Sequence, residues 1–234
     1  MKAQRKIRPH VIVNVASSAD GKIDTAARRG AGISSPADRI RVDQLRAEAD
    51  AVLVGGRTLI HEDPKLTVKS SRLRTRRKSL GQDENPVKVG VISVADLKLD
   101  GDFMTAGRAR RWVYTTRRTS AEQILRLEKA GAQVIVAGEQ VVDLKLVMKS
   151  LQEQGIRSLM VEGGGTLIAE FFRLGFVDEV YIFLAPLIFG GVNAPTLADG
   201  PGFHFDQAPH LELESVKSID DQGGILLHYF VKKA

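Results

Sequence analysis

Cysteine is missing from all 234 positions of the sequence. Disulfides, thiolate nucleophiles, cysteine-ligated zinc and iron–sulfur clusters are therefore excluded by composition alone. Aromatic residues are scarce, at 6%, and none interrupts the most basic stretch, KSSRLRTRRK at 69–78, so that stretch lacks the stacking platform a single-stranded nucleic acid would want. No apolar run approaches the roughly 20 residues needed to cross a bilayer. The basic start MKAQRKIRPH leads into a strand-like segment rather than a signal-peptide hydrophobic region, and the expectation is a cytoplasmic protein without a membrane partner. Histidine is sparse as well. His10, His204, His210 and His228 show no ligand spacing, and His61, beside Glu62 and Asp63, has neither an H-x-x-x-H partner nor a third histidine nearby, so no metal site is expected.

What is present is ordinary for a globular chain: 43% hydrophobic and 26% charged residues, enough for a sizeable core. The formal net charge of +6 is local, because 69–78 alone carries six Lys/Arg and no acid. That run reads as a solvated, mobile surface loop, with a polyanion-binding arm as the alternative. It opens the one break in composition, 69–86, which ends near the turn formers GQDENP. The expectation is a single domain, 1–234, with this loop in its middle.

Periodicity supplies the elements. HVIVNVA (10–16) and DAVLVG (50–55) read as buried strands, and SSPADRIRVDQLRAEA between them reads as a helix with Ser35 as N-cap and Pro36 at the first helical position. Beyond the break, VKVGVIS, RWVYTT, AQVIVAG, RSLMVE and VDEVYIFLAP read as strands. They alternate with helical stretches SAEQILRLEKAG, DLKLVMKSLQEQG and TLIAEFFRLG. In the second of these, Leu144, Val147, Met148 and Leu151 share one face, Asp143 is the cap and Gly155 the stop. Strand and helix in turn imply crossover connections and a largely parallel sheet. HLELESVKSI and GILLHYFVKK, joined by DDQGG, add an antiparallel hairpin. The fold class expected is α/β, a three-layer α/β/α sandwich around a mixed, mostly parallel sheet.

Three stretches carry candidate chemistry. In VEGGGTLIAEFF, Gly163, Gly164 and Gly165 stand between a strand and a helix, where bare backbone amides and the helix dipole favour a diphosphate. The match to known phosphate loops is partial: Gly-Lys-Ser/Thr is absent, and Ile168 stands where the last glycine of G-x-G-x-x-G belongs. A tight turn with close helix packing is the alternative. In VGGRTLIHEDPKLTVK, Thr58, His61, Glu62 and Asp63 follow a buried strand and could hold a ribose or nicotinamide, or Thr58 could simply cap a helix and EDP start a turn. NVASSADGKI ends a strand in small residues that leave room for a flat ligand, with Asp20 a structural turn residue.

In this order, IVNVASSADGKI, GGRTLIHEDPKLTVK, VEGGGTLIAEFFRLGFVDEVYIFLAPLIFGG and APTLADGPGF closely resemble the pyrimidine reductases of riboflavin biosynthesis. The similarity is greatest to the stand-alone archaeal and fungal form, and it covers nearly the whole chain. The resemblance implies a dihydrofolate-reductase-like fold, commonly a homodimer, with NADPH or sometimes NADH as cofactor. It implies reduction of the ribosylamino group of 2,5-diamino-6-(ribosylamino)-4(3H)-pyrimidinone 5′-phosphate to ribitylamino, before deamination. By position it sets the cofactor against Ala16, Gly32, Thr58, Glu62, Ser93, Gly164, Gly165, Thr166 and Leu167. It sets the substrate against Arg46, Leu66, Lys69 and Glu162, with Arg46 and Lys69 as the phosphate cations. Three positions depart from the pattern: Glu62 replaces the usual aspartate, Lys69 replaces an arginine and so loses the bidentate fork, and Gly30 replaces a substrate-contacting serine. Two other readings remain open on the residues: a pterin or folate reductase on the same scaffold, and a basic nucleic-acid-binding protein using 69–78.

Overall fold

Alternating side chains decide the layering. In the strand Ala51–Gly55, Ala51 and Leu53 belong to one apolar cluster and Val52 and Val54 to another, so the strand is covered on both faces, as a central parallel strand must be. The computed structural model describes residues 8–232; the first seven residues of the basic N-terminal stretch lie outside them. In chain order the elements are β1 (His10–Ser18), α1 (Pro36–Glu48), β2 (Ala51–Gly55), α2 (Gly56–His61), α3 (Ser71–Ser79), β3 (Val87–Val91), α4 (Asp102–Thr105), β4 (Arg111–Thr115), α5 (Ala121–Lys129), β5 (Ala132–Val136), α6 (Leu144–Glu153), β6 (Ser158–Gly163), α7 (Gly165–Arg173), β7 (Glu179–Ala185), β8 (Leu211–Ser218) and β9 (Ile225–Val231).

The sheet has nine strands in the order β5-β4-β3-β2-β6-β1-β7-β9-β8. Pairings from β5 through to β7 are parallel, and β9 runs antiparallel to both β7 and β8. The mixed three-layer sandwich expected from the sequence is the one found, including its C-terminal hairpin. The first apolar cluster joins the sheet to α6 and α7 through Leu144, Val147, Leu151, Ile168 and Phe171, and the second joins it to α2, α4 and α5 through Leu59, Phe103 and Leu127. Burying each of these side chains contributes about 1.5–3 kcal/mol. Among the described residues no helix is long and apolar enough to cross a membrane.

Caps fall where side-chain chemistry puts them. Ser35 Oγ accepts from the Asp38 amide with Pro36 opening α1, and Asp143 accepts from the Lys145 and Leu146 amides at the start of α6. Gly155 takes φ +85° just past the end of that helix, a conformation in which glycine carries no Cβ penalty.

One expectation is corrected. The basic run 69–78 is not a solvated loop: Ser70 Oγ accepts from the Leu73 amide and begins α3. Arg77 is only 3% exposed, and it donates to the carbonyls of Ala47, Ala49 and Asp83. Its guanidinium closes the carboxyl end of α1, a favourable place for a cation. Arg74 turns back to the carbonyls of Val68 and Lys69, and Arg72, Arg76 and Lys78 form the exposed face of the helix.

Candidate active site

The central strands β2, β6 and β1 end together, and the chain leaves β6 through the three glycines into α7. An open cavity of about 870 Å³ lies over these carboxyl ends, where ligands bind in open α/β sheets. Ala16, Gly32, Arg46, Thr58, Glu62, Lys69, Ser93, Glu162, Gly164, Gly165, Thr166 and Leu167 all line it. Leu66 does not: its side chain is 0% exposed within the second apolar cluster. It takes φ +48° and the whole residue is closed off from the cavity.

The three glycines have three different jobs. Gly163 has φ +137°, outside the range that a residue with a Cβ adopts readily. Gly164 is the N-cap of α7 at φ −79°, ψ 174°, and a Cβ there would meet nothing closer than Thr58 Oγ1 at 3.6 Å, so its bareness serves the cavity rather than the packing. Gly165 is the reverse. A Cβ on it would collide with the Thr196 carbonyl and stand 3.1 Å from the Asp199 carboxyl, because loop 196–199 packs onto the start of the helix, with the Asp199 amide donating to Gly165 O at 3.2 Å. Of the alternatives posed from the sequence, tight packing holds at Gly165, while Gly164 faces the cavity with nothing packed against it. The Leu167 amide already donates to Gly164 O at 2.9 Å, and the helix N-terminus at Gly165 and Thr166 faces the cavity, the kind of end that favours an anion.

Opposite the glycines stands Arg46 of α1. Its Nε and Nη2 donate to the two oxygens of Glu162, each at 2.6 Å, with side chains 16% and 12% exposed. The guanidinium is held charged, since the adjacent carboxylate outweighs the cost of desolvation. This bidentate pair changes how Arg46 is to be read: its fork is committed to Glu162, and its Nη1 reaches Thr67 O at 3.3 Å. Asp43, one helical turn earlier and buried, accepts from the Lys69 and Ser70 amides at 2.6 and 2.8 Å and so fixes the segment that presents the Lys69 ammonium.

Thr58 is not a helix cap. It lies inside α2, 8% exposed, and its hydroxyl donates to the Glu62 carboxyl one turn on. Desolvation pushes the Glu62 carboxyl above its ordinary value, and Asp24 and Glu162 add to the rise, against the hydrogen bond from Thr58. Asp24 accepts from the amides of Thr25, Gly30 and Ala31 at 2.7, 2.9 and 3.0 Å and fastens the loop that closes this wall. A Cβ on Gly30 would stand in ordinary contact with Glu62 Cγ at 3.4 Å, so the two positions face one another across this wall. Asp63 caps α4, accepting from the Asp102 and Phe103 amides at 2.7 and 2.9 Å. Asp20 is likewise structural, taking the Ser18 hydroxyl and the Phe189 and Gly190 amides. Among the described residues no group of acids and histidines is arranged to hold a metal.

Asp24, Arg28, Arg39, Asp43 and Arg57 also belong to the site or its supports and were not singled out from the sequence. Arg57 lies within the stretch VGGRTLIHEDPKLTVK without having been picked from it, the other four are charged residues outside the quoted motifs, and only the fold brings them to one cavity.

A mostly parallel sheet with a glycine loop and a large cleft over its central carboxyl ends is the architecture of an α/β protein that binds its ligand at the strand ends. Residues 9–225 match the model of the RibD C-terminal domain, and the chain belongs to that family. It is 42% identical over 197 residues, 84% of this chain and 89% of the relative, to the 2,5-diamino-6-ribosylamino-4(3H)-pyrimidinone 5′-phosphate reductase of Archaeoglobus fulgidus. To the reductase of the same name from Methanothermobacter thermautotrophicus it is 37% identical over 227 residues, 97% of this chain and the whole of the relative. A pyrimidine reductase-like protein from Corynebacterium diphtheriae has the same fold, with a TM-score of 0.81 at 23% identity over 97% of this chain and 93% of that one.

Proposed function

We propose that the protein is the riboflavin-pathway reductase that converts the ribosylamino group of 2,5-diamino-6-(ribosylamino)-4(3H)-pyrimidinone 5′-phosphate to ribitylamino, with NADPH as the reductant, working as a homodimer in the cytoplasm. The observation that carries the reading is one cavity holding both the glycine cradle at α7 and the Arg46–Glu162 pair. The names of the archaeal relatives, similar over most of their length, support the same substrate.

A nicotinamide, when bound, supplies a hydride. The chain supplies everything else. Gly164 and the first-turn amides of α7 hold the diphosphate, Ala16 and Gly32 leave room for the nicotinamide ring, and Ser93 meets the adenosine half. Opening the ribosylamine gives an imine, whose reduction adds a hydride to C1′ and a proton to nitrogen. Glu62 is the proton source in this scheme, because it lines the same cavity and desolvation raises its affinity for a proton. Lys69 and Arg39 hold the 5′-phosphate. Glu162, oriented by Arg46, accepts hydrogen bonds from the sugar hydroxyls or the pyrimidine, and fixing both reactants in one orientation is where most of the rate arises.

The test is NADPH oxidation by the purified protein with the diaminopyrimidine ribosylamino phosphate, its deaminated counterpart and dihydrofolate. Turnover is expected with the diaminopyrimidine and not with dihydrofolate. Preference for the deaminated compound would reverse the order of reduction and deamination, and preference for dihydrofolate would move the protein to the pterin reductases.

A further inference from the structure

β3 buries a charge that the reaction does not use. Lys88, in the strand VKVGV, is 0% exposed, and burial pushes its pKa down to about 8. Its Nζ donates to the carbonyls of Asp102, Phe103 and Ala106 at 3.2, 3.0 and 2.6 Å, all on α4 or the residue that ends it. At its other end the same helix gives the Asp102 and Phe103 amides to the Asp63 carboxylate, at 2.7 and 2.9 Å. α4 has four residues, too few to stand alone in water. An anion at its amino end and a cation at its carboxyl end are the charges its dipole favours.

The same strand also seats α2. Lys88 and Gly90 share one face of β3, and a Cβ on Gly90 would stand 2.7 Å from Leu59 Cδ1 of α2 and 3.5 Å from Phe103 Cζ of α4. Both helices therefore rest on one bare stretch of strand. A Cβ on Gly101 would come within 2.5 Å of Asp63 Oδ2, so the seat of the Asp63 carboxylate is closed on that side too. Asp63 itself takes φ +44°, a left-handed conformation uncommon in a residue with a Cβ. Its amide and that of Glu62 both donate to Thr58 O, at 3.2 and 3.0 Å. The two neighbours then part, with Glu62 lining the cavity and Asp63 turned to α4.

We propose that Asp63 is a positioning residue for Glu62: its carboxylate, seated on α4 and gripped from the far end of that helix by Lys88, locks the turn after α2 and so aims the Glu62 carboxyl into the cavity beside Thr58. The proposal deepens the reductase reading above and rests on it for what Glu62 does once aimed. A glutamate side chain has three rotatable bonds, and the hydroxyl of Thr58 engages only its tip. The backbone from which it springs decides where that tip can lie, and this backbone is fixed from outside the cavity.

The test reads the Glu62 carboxyl directly, by carbon-13 NMR titration of glutamate-labelled protein without cofactor or substrate, its resonance being the one that Glu62→Gln removes. Asp63→Gly tolerates the positive φ and loses the seat, Asp63→Asn keeps an acceptor and loses the charge, and Lys88→Met loses the grip. Asp63→Gly is expected to move the Glu62 titration back toward 4.5, because the carboxyl leaves its desolvated wall, while Asp63→Asn stays near the wild type. Lys88→Met separates position from charge: removing a cation raises a carboxyl pKa by charge alone, whereas releasing α4 lowers it. With the diaminopyrimidine substrate, kcat should fall about tenfold in Asp63→Gly and recover most of that loss in Asp63→Asn. Adding Asp63→Gly to Glu62→Gln should cost nothing further, since a residue that acts through another is silent in its absence. A titration unmoved in Asp63→Gly, an equal shift in Asp63→Asn or a rise in Lys88→Met would overturn the proposal, as would kcat losses that multiply across positions 62 and 63. If Lys88→Met does not fold, the glycine and asparagine variants decide alone. The expected titrations beside a Glu62→Gln enzyme as fast as the wild type would keep Asp63 as the residue that positions Glu62 and remove only Glu62 as the proton source.

Discussion

At Arg46 and Glu162, stability and function are coupled in a way that mutation can separate. Removing one partner leaves the other as a largely desolvated charge, which costs about 3 kcal/mol; replacing both by apolar residues of similar size removes the penalty. Arg46→Met and Glu162→Leu alone should each lower the unfolding free energy by about that amount, and the double variant should regain most of it while staying at least about 100-fold down in kcat/KM. Urea unfolding beside steady-state kinetics checks this, and a double variant as unstable as the singles would show that the pair is not the source of the cost. Glu62 makes a pH prediction. Its folded carboxyl binds protons more tightly than the ordinary 4.5, so its contribution to stability is fully present below the unfolded value and is lost as pH rises through the raised folded value. Glu62→Gln should therefore be more stable than the wild type at neutral pH, the gap closing in acid. If Glu62 is the proton source, kcat should fall as pH rises through the same region, and the glutamine variant should lack that limb. Thermal melts and rates across pH 4–9 on both proteins decide it.

Elements formed by local chemistry were legible in the sequence, and those formed by distant acceptors were not. Ser35–Pro36 and Asp143 announce α1 and α6 because a cap is satisfied within three residues, and the apolar face of α6 repeats at a spacing that only a helix gives. The run 69–78 misleads because the carbonyls that make Arg77 an inward-facing residue, those of Ala47 and Ala49, lie some 30 positions earlier. Similarly, the triple glycine was legible as a strand-to-helix junction, but which glycine serves which purpose depends on Thr196 and Asp199 further along the chain. That division makes a prediction for α7. Gly164→Ala places a methyl group in open cavity at an allowed backbone conformation, so it should cost less than about 1 kcal/mol of stability yet weaken NADPH binding at least about tenfold. Gly165→Ala forces a methyl group against the Thr196 carbonyl, so it should cost about 1–3 kcal/mol through displaced backbone. Melting temperature and cofactor titration, measured on each variant, should move in opposite proportions. Similar losses in both quantities for both variants would mean the two glycines share one role.

Across the whole molecule, the C-terminal hairpin is the part of the sheet with the least cover. The register shift between Leu213 and Ser215 places two residues where the alternation expects one, and its effect is to keep Leu211, Leu213 and Val216 on a single face, beside Ile225 of the neighbouring strand. These four side chains are 37%, 53%, 55% and 40% exposed, the first three on the edge strand β8, whose outer backbone groups are unpaired in the sheet. An exposed apolar stripe along an edge strand is a liability for a monomer and an asset for a symmetric pair, since a two-fold axis lays the same stripe against itself. The sequence showed the hairpin but not the stripe, because strict alternation from Leu211 would send Val216 to the other face. If this surface joins two copies, Leu213→Glu with Val216→Glu should convert a dimer into a folded monomer, seen by light scattering behind size exclusion. The substituted side chains are exposed, so the melting transition should stay cooperative. The cavity lies over the central strands, within one copy, so the monomer should keep its affinity for NADPH. A wild type that is already monomeric at micromolar concentration would leave the stripe without this role, and a dissociated variant that loses NADPH binding would mean that the second copy supports the site.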